Sequence, residues 1–214
     1  MISPEAIGGG AEIEFQRVGY SEARLDFAGG KTDNALLMGD PVSNRTLYMG
    51  LGVSPTVDIF VRVPQESSSL LGVKVQVLGA PSKVRNNTHQ LAFTLAIGSE
   101  RDSFEGTYEI DLKSDVRDYS LIYGFRFTEY ALIYSSISVS TYSFEGDITN
   151  SGGATLSDDS IDYTASNILG GQLGLELGGD SFALKLELAA QKIKWTNSEE
   201  KLLYSSGLSI RATF

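Results

Sequence analysis

The chain of 214 residues contains no cysteine and a single histidine. A disulfide framework, a thiolate metal site and a cysteine nucleophile are therefore excluded. Proline is also scarce, at 5 residues, whereas glycine reaches 23 and tyrosine and phenylalanine reach 10 each. This composition favours strands and turns over helices.

Basic residues are also fewer than acidic residues. The 17 Lys and Arg residues face 27 Asp and Glu residues, which gives a net charge of -10. Nucleic acid is therefore not an expected partner, because phosphate binding requires a basic face. The sequence has no long apolar run of the kind that predicts a transmembrane helix. The first residues, Met1 to Glu5, do not resemble a signal peptide, so we expect the signal of an exported protein to have been removed.

Strict alternation of apolar and polar residues dominates the sequence. In 182–188, Phe and Leu occupy every second position, and Ala183, Lys185 and Glu187 lie between them. The same alternation recurs in 57–63, 71–77, 90–97, 119–127 and 169–177. A period of two predicts strands with one apolar and one polar face.

Two segments are less regular. The alternation of 12–16 slips at Arg17 and Val18, where a β-bulge would account for it. In 130–142 two registers are open. Either Ala131, Ile133, Ile137 and Val139 face outward, or Tyr130, Leu132 and Tyr134 do.

Short and long connections alternate along the chain. The segments 54–56, 128–129 and 178–181 are short, whereas 20–44, 99–118 and 145–160 are long and polar. This alternation is typical of an up-and-down barrel in an outer membrane. We interpret 108–112 as the outer end of one long strand that runs on to Phe127. The predicted fold is all-β: a closed antiparallel transmembrane β-barrel of about ten strands, with eight or twelve as alternatives.

The composition of the polar face indicates which face of the strands contacts lipid. Small residues separate its charged residues, as expected in the crowded interior of a narrow barrel where charges can pair. The charged residues predicted to form a lumen network, either structural or pore-lining, are Asp58, Arg62, Lys74, Arg126, Glu176, Lys185, Glu187 and Arg211. A soluble barrel or sandwich, with its apolar face in the core, is the alternative.

The C-terminal residues carry a family resemblance. Leu208, Ile210, Ala212 and Phe214 alternate with Ser209, Arg211 and Thr213. A last amphipathic strand that ends on Phe resembles the signal read by the barrel-assembly machinery of Gram-negative bacteria. From about Gly10 onward, the chain resembles the OmpA/OmpX-like class of small outer-membrane barrels.

The resemblance implies a porin-like integral protein of the bacterial outer membrane, with both termini in the periplasm. It also implies contact with the lipid bilayer and lipopolysaccharide. Residues 1–10 are expected to form a periplasmic segment and 11–214 a single barrel domain. A monomer is expected. The tyrosines expected near strand ends or on the apolar face, with Trp195, are Tyr48, Tyr119, Tyr123, Tyr130, Tyr134, Tyr142, Tyr163 and Tyr204.

Enzymatic chemistry is not expected. The omptin proteases resemble the chain in size and strand count, but they need an Asp/His pair at the external rim. His89 is predicted at the periplasmic end of a strand, which departs from that pattern. No catalytic residue and no cofactor are therefore assigned.

Acidic residues in predicted external loops could hold Ca²⁺ or Mg²⁺. They are Asp115, Asp118, Asp158, Asp159 and Asp162. A solvated acidic loop is the simpler interpretation.

Three functions are compatible with these sequence features. The first is a non-enzymatic barrel with a structural or surface-interaction role and a filled lumen. The second is a narrow pore or a binding channel for a small solute or a lipid-like molecule. The third, a hydrolase at the rim, is least favoured because of the position of His89.

Overall fold

The computed structural model describes residues 2–21, 43–65, 68–80, 88–104, 108–150, 155–194 and 200–214. They form ten antiparallel strands in one closed barrel, in which each strand pairs with its neighbours in sequence and β1 pairs with β10. The strands are β1 (Gly10–Ser21), β2 (Ser43–Gly52), β3 (Val57–Pro64), β4 (Leu70–Leu78), β5 (Thr88–Phe104), β6 (Tyr108–Thr128), β7 (Ala131–Asn150), β8 (Thr155–Gly178), β9 (Phe182–Ile193) and β10 (Lys201–Thr213). The predicted closed barrel of ten strands is confirmed. No helix within these residues is long and apolar enough to cross a bilayer.

The two ends of the barrel differ. At one end, tight connections at 53–56, 129–130 and 179–181 join the strands. Both ends of the barrel sequence lie there too, since Phe214 N donates a hydrogen bond to Ala11 O at 2.9 Å. We call this the short-turn end. At the opposite, long-strand end, β6, β7 and β8 extend to 21, 20 and 24 residues, against 8 in β3. The prediction that 108–127 forms one strand is confirmed.

The outer surface of the barrel carries a continuous apolar belt. Leu186 and Leu188 are 48% and 63% exposed, whereas the adjacent Lys185 is fully buried. Other members of the belt include Phe15, Met49, Leu51, Ile59, Leu71, Val73, Phe93, Leu95, Leu121, Ile133, Ile137, Leu173, Leu208 and Ile210. In the described strands, charged residues on this face begin only beyond the belt, at Arg17, Arg45, Arg117 and Lys192.

The height of the belt suits a bilayer. On β9, outward-facing apolar residues run from Phe182 to Ala190. This distance is about 27 Å along the strand and about 21 Å along the axis of a barrel with the usual tilt of ~40°. The apolar band of outer-membrane barrels is about 25 Å tall. Since the apolar face is exposed and the charged face buried, the soluble alternative does not describe this chain.

The structure resolves both irregular segments. In β7, Ile133 and Ile137 are exposed, whereas Leu132 and Tyr134 are buried, so the first of the two registers is present. The bulge suggested at Arg17 and Val18 was wrong, because β1 pairs without interruption with both neighbours. Arg17 faces outward and is exposed. The apparent slip marks the position where β1 leaves the apolar belt.

Candidate functional site in the barrel lumen

The first residues of the chain lie inside the barrel. Residues 2–7 are all buried, and we call them the plug. Gly8, Gly9 and Gly10 follow with φ values of 73°, 95° and 106°, a conformation that strongly favours glycine. They reverse the chain at the short-turn end, so that the plug runs back into the lumen. The expectation of a periplasmic segment over residues 1–10 therefore differs from the position of residues 2–7 in the structure.

The backbone of the plug is held by charged side chains of the wall. Ile7 N donates to both carboxylate oxygens of Asp58, at 3.0 and 3.1 Å. Lys74 Nζ lies 2.8 Å from the same carboxylate and donates to Glu5 O at 2.6 Å and Ser3 O at 3.3 Å. These bonds satisfy polar groups of an extended segment that has no sheet partner.

Two arginines form the centre of this half of the lumen. Arg126 donates from Nε and Nη2 to the two carboxylate oxygens of Glu5, at 2.5 and 2.7 Å, and its Nη2 also lies 3.1 Å from Glu176. Arg211 contacts Glu176 through two nitrogens, each at 2.9 Å, and lies 3.7 Å from Glu12. Glu176 thus bridges two buried guanidinium groups. Paired contacts of this kind fix geometry as well as charge.

A second group of charges lies beside the arginines. Lys185 pairs with Glu14. Tyr134 donates its hydroxyl to Glu187 at 2.7 Å, and the amide of Gln16 donates to the same carboxylate. Tyr134 lies across Gly174, where a Cβ atom would lie 2.3 Å from its ring. The expectation that Tyr48 and Tyr134 lie at strand ends or on the apolar face was wrong, because both are buried on the lumen face.

Acidic residues outnumber basic ones among the buried charges of the described lumen. The four basic residues are Lys74, Arg126, Lys185 and Arg211, and the six acidic residues are Glu5, Glu12, Glu14, Asp58, Glu176 and Glu187. Hydrogen bonds from Ile7 N, Tyr134 and Gln16 supply further donors to the carboxylates. Burying charged groups costs free energy, because they lose their hydration. Removing one member of such a cluster destabilises the fold further, because its partner is left as an unpaired buried charge.

Seven of the eight charged residues proposed from the sequence lie fully within this cluster. The eighth, Arg62, lies nearer the long-strand end, is 26% exposed and pairs with Asp118 at 3.0 Å. Sequence reasoning missed Glu12 and Glu14, although their alternation with Ile13 and Phe15 places them on the polar face. It also missed Glu5, for which no periodic signal exists, because the plug is not a strand.

Beyond the plug, towards the long-strand end, the lumen holds a cavity of about 190 Å³. Ile2 of the plug lies at its inner end. One side, from β7 to β10, is polar, and the opposite side is more apolar. The polar side includes Ser136, Ser138, Ser140, Gln172, Gln191 and Ser205. The opposite side includes the apolar residues Pro64, Leu70, Val116 and Ile122 and the polar residues Arg62, Thr94, Asp118 and Ser120.

His89 lies on the outer face, at the short-turn end of β5. Its Nδ1 lies 2.6 Å from the hydroxyl of Tyr123, and its ring centroid lies 4.9 Å from that of Phe125. Within the described part of the chain its contacts are therefore aromatic. This surrounding does not supply the carboxylate partner that acid–base chemistry of the omptin type needs.

The acidic residues predicted in external loops are arranged differently. Asp115 and Asp118 both lie in β6. Asp115 pairs with Lys113 on the outer side at 2.5 Å, whereas Asp118 lines the lumen cavity. They cannot bind one cation together, because they point to opposite faces. The hydrogen bond from Lys113 lowers the pKa of the Asp115 carboxyl. The side chains of Asp158, Asp159 and Asp162, like Tyr163 and Trp195, lie outside the described residues, within which no cluster of metal-ligand residues occurs.

Comparisons with known proteins give a fold but no family. No protein-family model matches the sequence, and no curated protein matches it. Among solved structures, the translocator domain of the autotransporter NalP from Neisseria meningitidis is 10% identical, with 97% of this chain and 89% of that chain covered and a TM-score of 0.50.

Two further solved structures were also found. Ail, the attachment invasion locus protein of Yersinia pestis, is 14% identical over 97% of this chain and 99% of its own, with a TM-score of 0.43. Neisserial surface protein A is 12% identical over 95% and 96%, with a TM-score of 0.40. The ten-stranded closed barrel and its exposed apolar belt give this chain the fold of the bacterial outer-membrane β-barrels.

Proposed function

We propose that the chain is a non-enzymatic integral protein of the bacterial outer membrane, with a structural or surface-interaction role and a lumen closed by its own N-terminal plug. The observation that carries this proposal is the paired contact between Arg126 and Glu5 in the barrel interior. It ties the plug to the wall with two charge-assisted hydrogen bonds, which are the strong class of hydrogen bond.

The orientation follows from the two ends of the barrel. Bacterial barrels have short periplasmic turns and longer extracellular loops. The short-turn end therefore faces the periplasm, and both ends of the barrel sequence lie on that side. The long strands β5 to β8 project outward, where they offer a surface to other molecules.

Basic residues at the outer edge of the belt support contact with lipopolysaccharide. Arg17 and Arg45 are direct cross-strand neighbours, and both are exposed on the outer face. Arg117 and Lys192 lie on the same face at the ends of their apolar runs. Guanidinium groups bind phosphate with paired hydrogen bonds, so they match the phosphate groups of this lipid. Replacing Arg17 and Arg45 by Gln should weaken lipopolysaccharide binding strongly, and replacing both by Lys should weaken it less, because Lys keeps the charge but loses the paired hydrogen bonds.

Phe214 is proposed as the residue read during assembly. It is 73% exposed at the short-turn end, and its backbone pairs with Ala11. Its ring is thus free of the barrel interior and available to a partner. Phe214→Ala should slow folding by the assembly machinery while leaving the stability of the finished barrel nearly unchanged.

Electrical recording in planar bilayers tests the closed lumen. The full chain should show no steady channels, because the plug and the paired charges fill the short-turn half. A variant that lacks residues 2–7 should conduct. Steady conductance of the full chain would contradict the proposal, and a silent deletion variant would show that the plug is not what closes the lumen.

A point substitution gives a milder test with a matched control. Glu5→Gln removes the negative charge that Arg126 binds but preserves the shape of the plug, so brief openings are expected. Glu129→Gln makes the same change in an exposed turn and should leave the barrel silent. Equal behaviour of the two variants would argue against the role of the Glu5 contact.

A further inference from the structure

The lumen cavity has features of a binding site that the closed-barrel function does not use. We infer that it binds a neutral, polyhydroxylated molecule about the size of a monosaccharide, entering from the long-strand end. The plug closes the opposite end, so in the orientation proposed above the site is a pocket on the extracellular side and not a passage.

The hydroxyl and amide groups on the polar side of the cavity support binding of a sugar. Ser136, Ser138 and Ser140 follow one another on the lumen face of β7, and all three are buried. Gln172 and Ser205 continue this side on β8 and β10. Hydroxyl and amide groups both donate and accept hydrogen bonds. Such a surface therefore matches a ligand whose own groups also do both, as sugar hydroxyls do.

An ion pair at the cavity wall also supports binding of a sugar. Arg62 donates to Asp118 Oδ2 at 3.0 Å, and Ser140 donates to Asp118 Oδ1 at 2.8 Å. Both charged residues keep partial exposure, at 26% and 17%, and both line the cavity. A fixed donor beside a fixed acceptor can bind two adjacent hydroxyl groups at once. Because the pair is neutral as a unit, it does not favour a charged ligand.

A group of apolar side chains on the wall opposite the serines gives further support. Leu70, Val116 and Ile122 lie there among polar residues such as Thr94 and Ser120, and Ile2 lies at the inner end. Sugars present C–H groups on one face of the ring and hydroxyls around its edge. A mostly polar cavity with a few apolar side chains on one wall suits such a molecule better than it suits an ion or a hydrocarbon.

Size sets the limit on the ligand. The volume of about 190 Å³ lies below that of typical drug-sized pockets; these span ~300–1,000 Å³, so the cavity suits about a dozen non-hydrogen atoms. A single sugar unit fits this limit. It could be a free monosaccharide or the terminal unit of a surface glycan, since both offer the same groups.

The test is binding of neutral monosaccharides to the full chain, folded in a detergent that carries no sugar headgroup. Saturation-transfer NMR on a panel of neutral sugars should show contacts for at least one, and calorimetry should give its Kd. The same panel includes sugar phosphates, for which weaker binding is expected. Glycan arrays then separate the two sources, because a free sugar that binds should compete with a glycan that ends in it.

Two pairs of variants assign any binding to the cavity. Ser120→Leu fills the cavity and should abolish binding, whereas Ser69→Leu makes the same change at an exposed position and should not alter it. Asp118→Asn keeps the shape of the wall but removes the charged acceptor, so binding should weaken about tenfold, equivalent to about 1.4 kcal/mol. Asp180→Asn, in an exposed turn, is its control.

The binding experiments can either support or contradict the sugar site. Binding that is lost in Ser120→Leu and weakened in Asp118→Asn supports the site. The inference is wrong if no neutral sugar binds more tightly than about 10 mM, if Ser120→Leu binds like the unmodified chain, or if only sugar phosphates bind. None of these results bears on whether the plug prevents conductance, so the two proposals can fail separately.

Discussion

The two halves of the lumen use polar residues in opposite ways. In the short-turn half, charges are fully buried and paired with one another or with the plug, as Arg126 is with Glu5 and Glu176. In the long-strand half, hydroxyl and amide groups surround open space, and an ion pair there, Arg62 with Asp118, keeps partial exposure. One end of the barrel is therefore built for closure, and the other retains room for a molecule.

The largest expected difference between the halves concerns stability. Arg126→Met should lower the free energy of unfolding by about 3–5 kcal/mol, because the buried Glu5 loses the guanidinium that pairs with it and Glu176 retains only Arg211. Arg62→Met removes the partly solvated pair and should cost about 1 kcal/mol or less. Urea unfolding in lipid vesicles measures both. Equal losses would mean that the two halves do not differ in this respect.

A smaller effect is expected from packing in the closed half. Gly174→Ala places a methyl group against the ring of Tyr134, which must shift away from Glu187, so a loss of about 1–3 kcal/mol is expected. Gly171→Ala, on the outer face of the same strand, meets no atom within 4 Å. It should be nearly neutral in the same unfolding measurement. A neutral Gly174→Ala would show that the closed half is less tightly packed than described.

The smallest effect on stability is expected beyond the membrane, where water surrounds the long strands. The Lys113 hydrogen bond depresses the pKa of Asp115 below the ordinary value of 3.8. The pair therefore stabilises the fold above pH 3.8, and the contribution disappears as the pH falls through the lower, folded-state pKa. An NMR titration should place the Asp115 midpoint below 3.8 and show that Lys113→Gln moves it back towards that value. A midpoint that Lys113→Gln leaves in place would refute the assigned cause.

The strands and the orientation of their faces could be predicted from the sequence, because alternation reports directly which side chains share a face. The alternation of Leu184, Lys185 and Leu186 is an example. Seven of the ten charged residues of the described cluster were predicted for the same reason.

The plug could not be predicted in this way. Residues 2–7 follow no periodic pattern, and their position depends on contacts such as Glu5 with Arg126, which are 121 residues apart in the sequence. The cavity was not predictable either. Its existence depends on how far the plug reaches along the lumen, and small residues such as Ser138 can line a gap or fill a tightly packed core.

The central claim is that the short-turn end of the lumen is sealed, whereas the cavity lined by the described residues is accessible to water, and thiol labelling tests it most directly. The chain has no cysteine, so single reporters at Ser3 in the plug and Ser205 in the cavity wall give clean signals. In the folded barrel, a small water-soluble thiol reagent should modify Ser205→Cys and leave Ser3→Cys protected, while both react alike after unfolding. Equally fast labelling of the two in the folded state would contradict the claim.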